Sequence, residues 1–175
     1  ESLLFTSGAI PRAGRVEDGT TTADFDADEI KKQISINAAM APLEWQQHKL
    51  NFLDTPGYFD FVGDVIGALR VVDSALVVLC AVSGVEVGTE KVWASANDRN
   101  LPRICFINKL DRENASFEKA LEQAREQFGA NIVPVQIPIG SEDDFKGVID
   151  LLKMEAYIYD GSKFSAQEIP AELKD

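Results

Sequence analysis

Two short polar motifs, some fifty residues apart, carry the side chains with the clearest capacity for chemistry. Asp54-Thr55-Pro56-Gly57 follows the apolar residues 50–53, and Asn108-Lys109-Leu110-Asp111 follows the apolar residues 104–107. Both motifs therefore lie at the carboxyl ends of predicted buried strands. Open α/β sheets bind their ligands at this edge.

The first motif has groups suited to a metal ion and a phosphate. The Asp54 carboxylate can hold a water molecule of Mg²⁺, and Gly57, which lacks a side chain, lets its backbone N–H approach a terminal phosphate. A Pro-Gly turn after a strand is also a common structural feature. Taken alone, this motif leaves both interpretations open.

The second motif is more selective because it matches the edge of one base. The Asp111 carboxylate can accept from both N–H donors of guanine while the stem of Lys109 covers the ring face, and adenine has no matching donor pair. A solvated polar loop after a strand is the alternative. Both motifs in this order, each at a strand end, favour a guanine-nucleotide switch.

Alternating apolar patterns predict the elements that position these motifs. A β-hairpin is expected from Ile34 to Leu53, an amphipathic helix after Gly57 and a buried strand over residues 74–82. Helices over 88–100 and 115–128 then alternate with strands over 103–107 and 132–137. This order is typical of an α/β fold with a mainly parallel sheet and helices on both faces.

The two ends of the chain depart from that alternation. Residues 1–5 are typical of the last turns of a helix, and residues 8–32, rich in Gly, Thr, Asp and Glu, predict a mobile surface loop. His48 falls in the predicted hairpin turn and is a poor catalytic candidate. Residues from Gly147 onward predict the beginning of an inserted subdomain, which divides the chain into 1–146 and 147–175.

The amino-acid composition argues against several classes of binding partner. The net charge of −12 argues against direct binding of nucleic acid by this chain, because phosphate binding needs clustered Lys and Arg. No apolar run is long enough to cross a bilayer, and no signal segment opens the sequence, so we expect a cytoplasmic protein without a membrane partner. Cys80 and Cys105 lie in apolar strands, and two cysteines are too few for a zinc site.

A glycine-rich loop ending Gly-Lys-Ser/Thr, which cradles phosphates, does not occur in the sequence. We therefore expect a fragment that binds GTP very weakly by itself. A dinucleotide-binding redox domain is discounted, because no Gly-x-Gly-x-x-Gly follows a strand.

The chain resembles the nucleotide-binding domain of elongation factor G and related translational GTPases over essentially all of its 175 residues. Besides the two motifs, the resemblance rests on Leu69-Arg70-Val71-Val72-Asp73-Ser74-Ala75, Gly84-Val85-Glu86, Val92-Trp93, Pro138-Ile139-Gly140 and Phe145-Lys146-Gly147-Val148-Ile149-Asp150. The last block resembles the start of the extra subdomain that separates factor-G-type from Tu-type proteins. The resemblance implies a P-loop GTPase-type three-layer α/β/α fold, with the first strand and phosphate loop absent here.

The resemblance also implies roles for the motif residues. Asp54 and Gly57 would belong to the second switch, and Asn108, Lys109 and Asp111 would bind the guanine of GTP or GDP.

The first switch of the family has Arg-Gly-Ile-Thr-Ile, which corresponds here to Lys32-Gln33-Ile34-Ser35-Ile36. Ser35, which keeps the hydroxyl, would be the Mg²⁺ ligand that senses the third phosphate, with Asp54 as the other metal-site residue. A small polar residue on the exposed side of a strand is the alternative for Ser35.

Tyr58 departs from the family, which has a histidine directly after Asp-Thr-Pro-Gly that positions the attacking water. A tyrosine can donate a hydrogen bond, but it lacks the second nitrogen of imidazole. Tyr58 is thus the candidate catalytic residue, and we expect slower or differently stimulated hydrolysis in the intact protein. Simple packing at the switch is the alternative.

The function implied is that of a translation factor that hydrolyses GTP on the ribosome at translocation or a related step, with the ribosome as partner of the full-length protein. Tetracycline ribosomal protection proteins, the release-factor GTPase of type three and a ribosome interaction module without hydrolysis remain alternatives. Because the first strand of such domains lies in the middle of the sheet, its absence predicts two unpaired strand edges and self-association of the isolated chain.

Overall fold

The structure, a computed structural model, describes residues 1–129, 131–159, 161 and 164–173. Its first compact unit is Glu1–Ala75 with Ala94–Pro102, and its second is Leu76–Trp93 with Arg103–Asp175. The sequence-predicted domains also contain residues 130, 160, 162, 163, 174 and 175, which lie outside the described residues. The boundary between 146 and 147 stays a prediction.

A β-hairpin leads into the first polar motif. Strands β1 (Ala39–Trp45) and β2 (His48–Asp54) pair antiparallel across the two-residue turn Gln46–Gln47. Both turn residues have positive φ, 48° and 66°, as a type I′ turn requires. The hairpin is confirmed, but β1 begins later than Ile34, and His48 is the first residue of β2 instead of a turn residue.

Two short helices precede the hairpin, α1 (Ser2–Thr6) and α2 (Ala27–Lys32). The first confirms the expected helix end, whereas the second corrects the predicted mobile loop. Asp26 and Glu29 form a capping box, each side chain accepting a backbone N–H at the start of α2. This local signal outweighs a composition that is otherwise typical of a loop.

After the first motif, a 3₁₀ turn at Phe59–Phe61 leads into helix α3 (Val62–Ala68). Val65 is the buried residue within this helix, and Leu69 at its end is also buried. The amphipathic helix expected after Gly57 therefore has Leu69 buried at its end and Ile66 half-buried within it.

A strand–helix pattern then follows, with β3 (Ala75–Cys80), α4 (Val87–Asn97), β4 (Arg103–Asn108) and α5 (Phe117–Phe128). Ala75 N–H donates to Pro102 O, and Ala81 N–H donates to Asn108 O. The partner lies the same number of residues further along the chain in both bonds, which means that β3 and β4 run parallel.

The β3–β4 pair has one packed face and one exposed face. Val77 and Leu79 pack with Ala124 of α5, beside the stacked rings of Trp93 and Phe128, whose centroids are 4.2 Å apart. The opposite face is also apolar but lies between 49% and 65% exposed, and its members are Leu76, Val78, Ile104 and Phe106.

The last sheet is an antiparallel meander in the order of the chain, formed by β5 (Gln136–Ile139), β6 (Gly147–Asp150), β7 (Glu155–Tyr159) and β8 (Phe164–Gln167). Its core contains Ile149, Ala156 and Ile169. A short 3₁₀ turn at Glu142–Asp144 connects β5 with β6, and another covers Ala171–Leu173.

The α/β class is confirmed. Among the described residues, parallel pairing is confined to β3 and β4, and the other two sheets are antiparallel. This is less parallel pairing than the sequence predicted, because short connections such as the hairpin turn join antiparallel neighbours. Within the same residues, β2 pairs only with β1 and β3 only with β4, so each has an edge without a strand partner.

Candidate functional site

Asp54 is the last residue of β2 and carries an electrostatically unfavourable charge. Partial desolvation, followed by the nearby Asp24 carboxylate, raises the pKa of Asp54 above its ordinary value, although the Thr55 N–H and the terminal amino group act in the opposite direction. A raised carboxyl pKa means that the surroundings disfavour the anion. A cation beside Asp54 and Asp24 would relieve this cost.

Gly57 and Tyr58 are both exposed after the strand end. No atom lies within 4 Å of the position that a Gly57 Cβ would occupy, so the backbone here is open to approach. Tyr58 is 58% exposed, and its backbone carbonyl accepts from Phe61 N–H at 3.0 Å. An exposed ring argues against the alternative that Tyr58 simply packs at this turn.

Ser35 lies in the irregular segment between α2 and β1, not on a strand. Its hydroxyl donates to Asp24 Oδ1 at 2.7 Å, and Asp24 Oδ2 accepts from Thr21 Oγ1 at 3.3 Å. A hydroxyl oxygen that donates its proton keeps its lone pairs, so Ser35 can still ligate a cation. Asp24 therefore links the two predicted metal-site residues, Ser35 and Asp54, and sequence reasoning missed it.

These oxygen donors have the chemistry that Mg²⁺ prefers. Hard hydroxyl and carboxylate oxygens suit Mg²⁺, which takes one or two protein ligands and completes its shell with water and substrate phosphates. Among the described residues, His, Cys, Asp and Glu do not form a cluster of three or more that would hold a metal alone. A site of this kind depends on the phosphates of a bound nucleotide.

Glu29 organises the segment that carries Ser35. Its side chain is fully buried and accepts from the backbone N–H groups of Phe25, Asp26, Ile36 and Asn37. Burial raises the pKa of Glu29, but the hydrogen bonds from Asn37, Asp26 and Ile36 outweigh it and leave the pKa below its ordinary value. The carboxylate thus ties the start of α2 to the chain on both sides of Ser35.

A second carboxylate holds the end of the same segment. Asp64, on helix α3, accepts from the Ala38 N–H at 2.8 Å. Ala38 directly precedes β1, and α3 follows the Asp54-Thr55-Pro56-Gly57 motif. A direct hydrogen bond therefore joins a residue that follows the predicted first switch to a residue that follows the motif predicted to belong to the second.

The second motif begins where β4 ends. Asn108 O accepts from Ala81 N–H at 2.8 Å, and Ala81 O accepts from Ser116 N–H at 3.0 Å, so one residue after β3 fixes both ends of the loop 108–116. Lys109 adopts φ 63° and begins the turn that places Asp111. The side chains of Asn108, Lys109 and Asp111 are exposed, as a base-binding edge requires.

The middle of this loop is held by Glu142, from the turn between β5 and β6. Glu142 N–H donates to Leu110 O at 2.8 Å, and Glu142 Oε1 accepts from Asn114 N–H at 2.8 Å. No local pattern in the sequence predicts a partner so far along the chain. The predicted residues thus form two groups, each within one compact unit: Ser35 and Asp54, which are linked through Asp24, and Asn108 with Lys109 and Asp111.

An α/β fold with an acidic strand-end motif and an Asn-Lys-Leu-Asp loop defines a guanine-nucleotide-binding class of protein. The family model described as elongation factor Tu GTP binding domain matches residues 1–171, and the chain belongs to this family. The resemblance to the elongation-factor GTPases is thereby confirmed, and with it GTP binding as the family property.

A solved structure agrees with this assignment. The chain is 38% identical to the protein ttk003000868 from Thermus thermophilus, whose crystal structure it matches with a TM-score of 0.92 over 98% of this chain. The match covers 26% of that protein, so this chain spans about a quarter of its length. In the described part of the chain, none of the helices has the length and apolar character needed to span a membrane.

Proposed function

We propose that this chain supplies guanine recognition, magnesium binding and water positioning for GTP hydrolysis in a longer translation factor of elongation factor G type. The observation that carries the proposal is the loop 108–116, whose backbone is anchored while the side chains of Asn108, Lys109 and Asp111 remain exposed. Membership of the elongation-factor GTP-binding family supports the same function.

The roles follow from the donor and acceptor chemistry of each group. Asp111 accepts from the two N–H groups on the edge of guanine, Lys109 lays its stem on the ring, and Asn108 holds the loop at the strand end. Gly57 offers an open backbone N–H to the terminal phosphate.

Ser35 and Asp54 would hold Mg²⁺, Ser35 directly and Asp54 through water. When bound, Mg²⁺ neutralises charge on the terminal phosphates. Asp24 keeps the Ser35 hydroxyl oriented through the 2.7 Å hydrogen bond. Tyr58 is the residue proposed to orient the attacking water, because its exposed hydroxyl follows the Gly57 turn.

Base exchange at Asp111 tests guanine recognition. In xanthine, a carbonyl replaces the 2-amino group of guanine, so the side-chain amide introduced by Asp111→Asn could donate to that carbonyl while it accepts from the ring N–H. By calorimetry on the full-length protein, Asp111→Asn should weaken GDP binding about 10²-fold and strengthen xanthosine diphosphate binding. Glu113→Gln, an exposed change in the same loop, is the matched control.

Unchanged GDP affinity in Asp111→Asn would exclude this residue from base recognition. Equal binding of GDP and ADP by the unmodified protein would remove guanine recognition altogether.

The finer assignment rests on the meander β5–β8, in which strand β6 begins at Gly147, the residue where the factor-G-type subdomain is expected to start. Ribosome-stimulated GTP hydrolysis accompanied by translocation would support it. Release of tetracycline or of a release factor would instead favour the two related GTPase classes. Binding of GTP and ribosomes without hydrolysis of GTP would indicate an interaction module. The proposal also includes the ribosome as the partner of the full-length protein and a cytoplasmic location.

A further inference from the structure

Glu142 is separated from the Asn-Lys-Leu-Asp motif by helix α5 and strand β5, yet it is bonded to the loop on both sides of Asp111. Its N–H donates to Leu110 O, which precedes Asp111, and its carboxylate accepts from Asn114 N–H, which follows it; both distances are 2.8 Å. Between these two anchors the loop has local backbone bonds: Arg112 N–H donates to Lys109 O at 3.2 Å, and Arg112 O accepts from Ala115 N–H at 3.1 Å.

The backbone around these bonds lies in left-handed conformations that non-glycine residues rarely adopt. Lys109, Asn114 and Glu142 have φ of 63°, 64° and 52°. Such conformations persist only where the surroundings hold them. The two hydrogen bonds between Glu142 and the loop can hold the positive φ angles of Asn114 and Glu142, because these two residues are direct partners.

The turn that presents Glu142 is itself tightly built. Gly140 has φ 77°, and a Cβ there would collide with the backbone carbonyl of Asp144, so the chain can close only with glycine. Lys146 N–H donates to Ile139 O at 2.9 Å across the base of the turn. Glu142 is therefore delivered from a rigid β5–β6 hairpin rather than from a free loop.

From these contacts we propose that Glu142 is a positioning residue for guanine specificity: it holds the segment 110–114 so that the Asp111 carboxylate meets both donors of the base. The inference rests on the guanine recognition proposed above and adds a residue that no local motif contains. It also makes base selectivity depend on the β5–β6 hairpin, because displacement of this hairpin would release Asp111.

Specificity gives a readout that a merely structural role would not change. Inosine diphosphate lacks the 2-amino group, so a well-placed Asp111 prefers GDP to it by the second hydrogen bond. In the full-length protein, Glu142→Ala should raise the Kd for GDP about tenfold to a hundredfold while changing that for inosine diphosphate less, so the preference falls.

Three further variants separate position from charge and from folding. Glu142→Gln keeps an oxygen that accepts from Asn114 N–H and should retain the preference for GDP. Glu142→Asp keeps the charge but shortens the reach, so it should behave like Glu142→Ala. Asp143→Ala removes an exposed carboxylate from the same turn and should bind both nucleotides as the unmodified protein does.

Amide hydrogen exchange at Asn114 provides a second measurement that needs no nucleotide. Faster exchange in Glu142→Ala and Glu142→Asp, with normal exchange in Glu142→Gln, is the expected pattern. An unchanged preference in Glu142→Asp, or an equal loss for both diphosphates, would overturn the positioning role while leaving guanine binding in place. If the unmodified protein itself does not prefer GDP to ADP, the proposed function fails, and this inference fails with it.

Discussion

Glu29→Gln is a severe test of how the segment predicted to be the first switch is held in place. In the native chain, Glu29 Oε1 accepts from Ile36 and Asn37, and Oε2 accepts from the N–H groups of Phe25 and Asp26. The glutamine amide can keep the first oxygen, but its NH₂ group then faces two N–H donors. The variant has nearly the same shape, so it removes the negative charge and one acceptor oxygen without leaving a cavity.

The magnitude follows from those two bonds. Hydrogen bonds to a charged group contribute about 1.5–3 kcal/mol each, so the loss amounts to roughly 3–6 kcal/mol. The loss lowers the free energy of local unfolding of residues 25–37, in which the rest of the chain stays folded. Hydrogen exchange of these amides should then accelerate by roughly 10²–10⁴-fold, since each 1.4 kcal/mol is a factor of ten.

The assay is amide exchange followed by mass spectrometry, with Asp28→Asn as the control. Asp28 lies on the same helix, is exposed and changes by the same charge. Because the folded-state pKa of Glu29 is lowered, its contribution is present above the ordinary value of 4.5 and is lost as the pH falls through the folded-state pKa. The difference in amide exchange rate between the native protein and Glu29→Gln should therefore shrink as the pH falls below 4.5. Equal exchange in Glu29→Gln and Asp28→Asn at neutral pH would refute the reasoning.

Three further outcomes are expected. Asp54→Asn should raise the melting temperature at pH 7 in the absence of Mg²⁺, because the raised folded-state pKa of Asp54 means that its charge destabilises the fold. The gain in melting temperature should fade as the pH falls towards 3.8, the ordinary pKa of the group. A lower melting temperature at pH 7 would contradict this. Tyr58→His in the full-length protein should raise ribosome-stimulated GTP hydrolysis by about tenfold or more, and equal rates would show that the tyrosine costs nothing. The 175-residue chain should self-associate through the exposed face of β3–β4; Phe106→Lys should lower its apparent mass in sedimentation, whereas Leu152→Lys, at an exposed site outside that face, should not.

Elements with strong local patterns were predictable from the sequence. Residues 103–107 read as a strand and residues 115–128 as a helix, and the structure has Arg103–Asn108 and Phe117–Phe128 with Ser116 as a cap that accepts from Lys119 N–H. The Asp54 and Asp111 motifs were found for the same reason, since each follows an apolar strand directly. Helix α2 was not predicted, because the composition of residues 8–32 is typical of a loop. Asp26 and Glu29 have the spacing of a capping box, which could have indicated the start of this helix.

The long-range contacts were decided by the tertiary structure alone. Asp24 reaches Ser35 across eleven residues and Glu142 reaches Asn114 across twenty-eight, and neither separation has a period that a sequence can display. Hydrogen bonding of this kind depends on where the backbone brings a carboxylate, which only the packed chain determines. The sequence by itself determined which side chains have the chemical types proposed to recognise guanine and ligate magnesium. Only the tertiary structure decided which carboxylates hold those side chains in place.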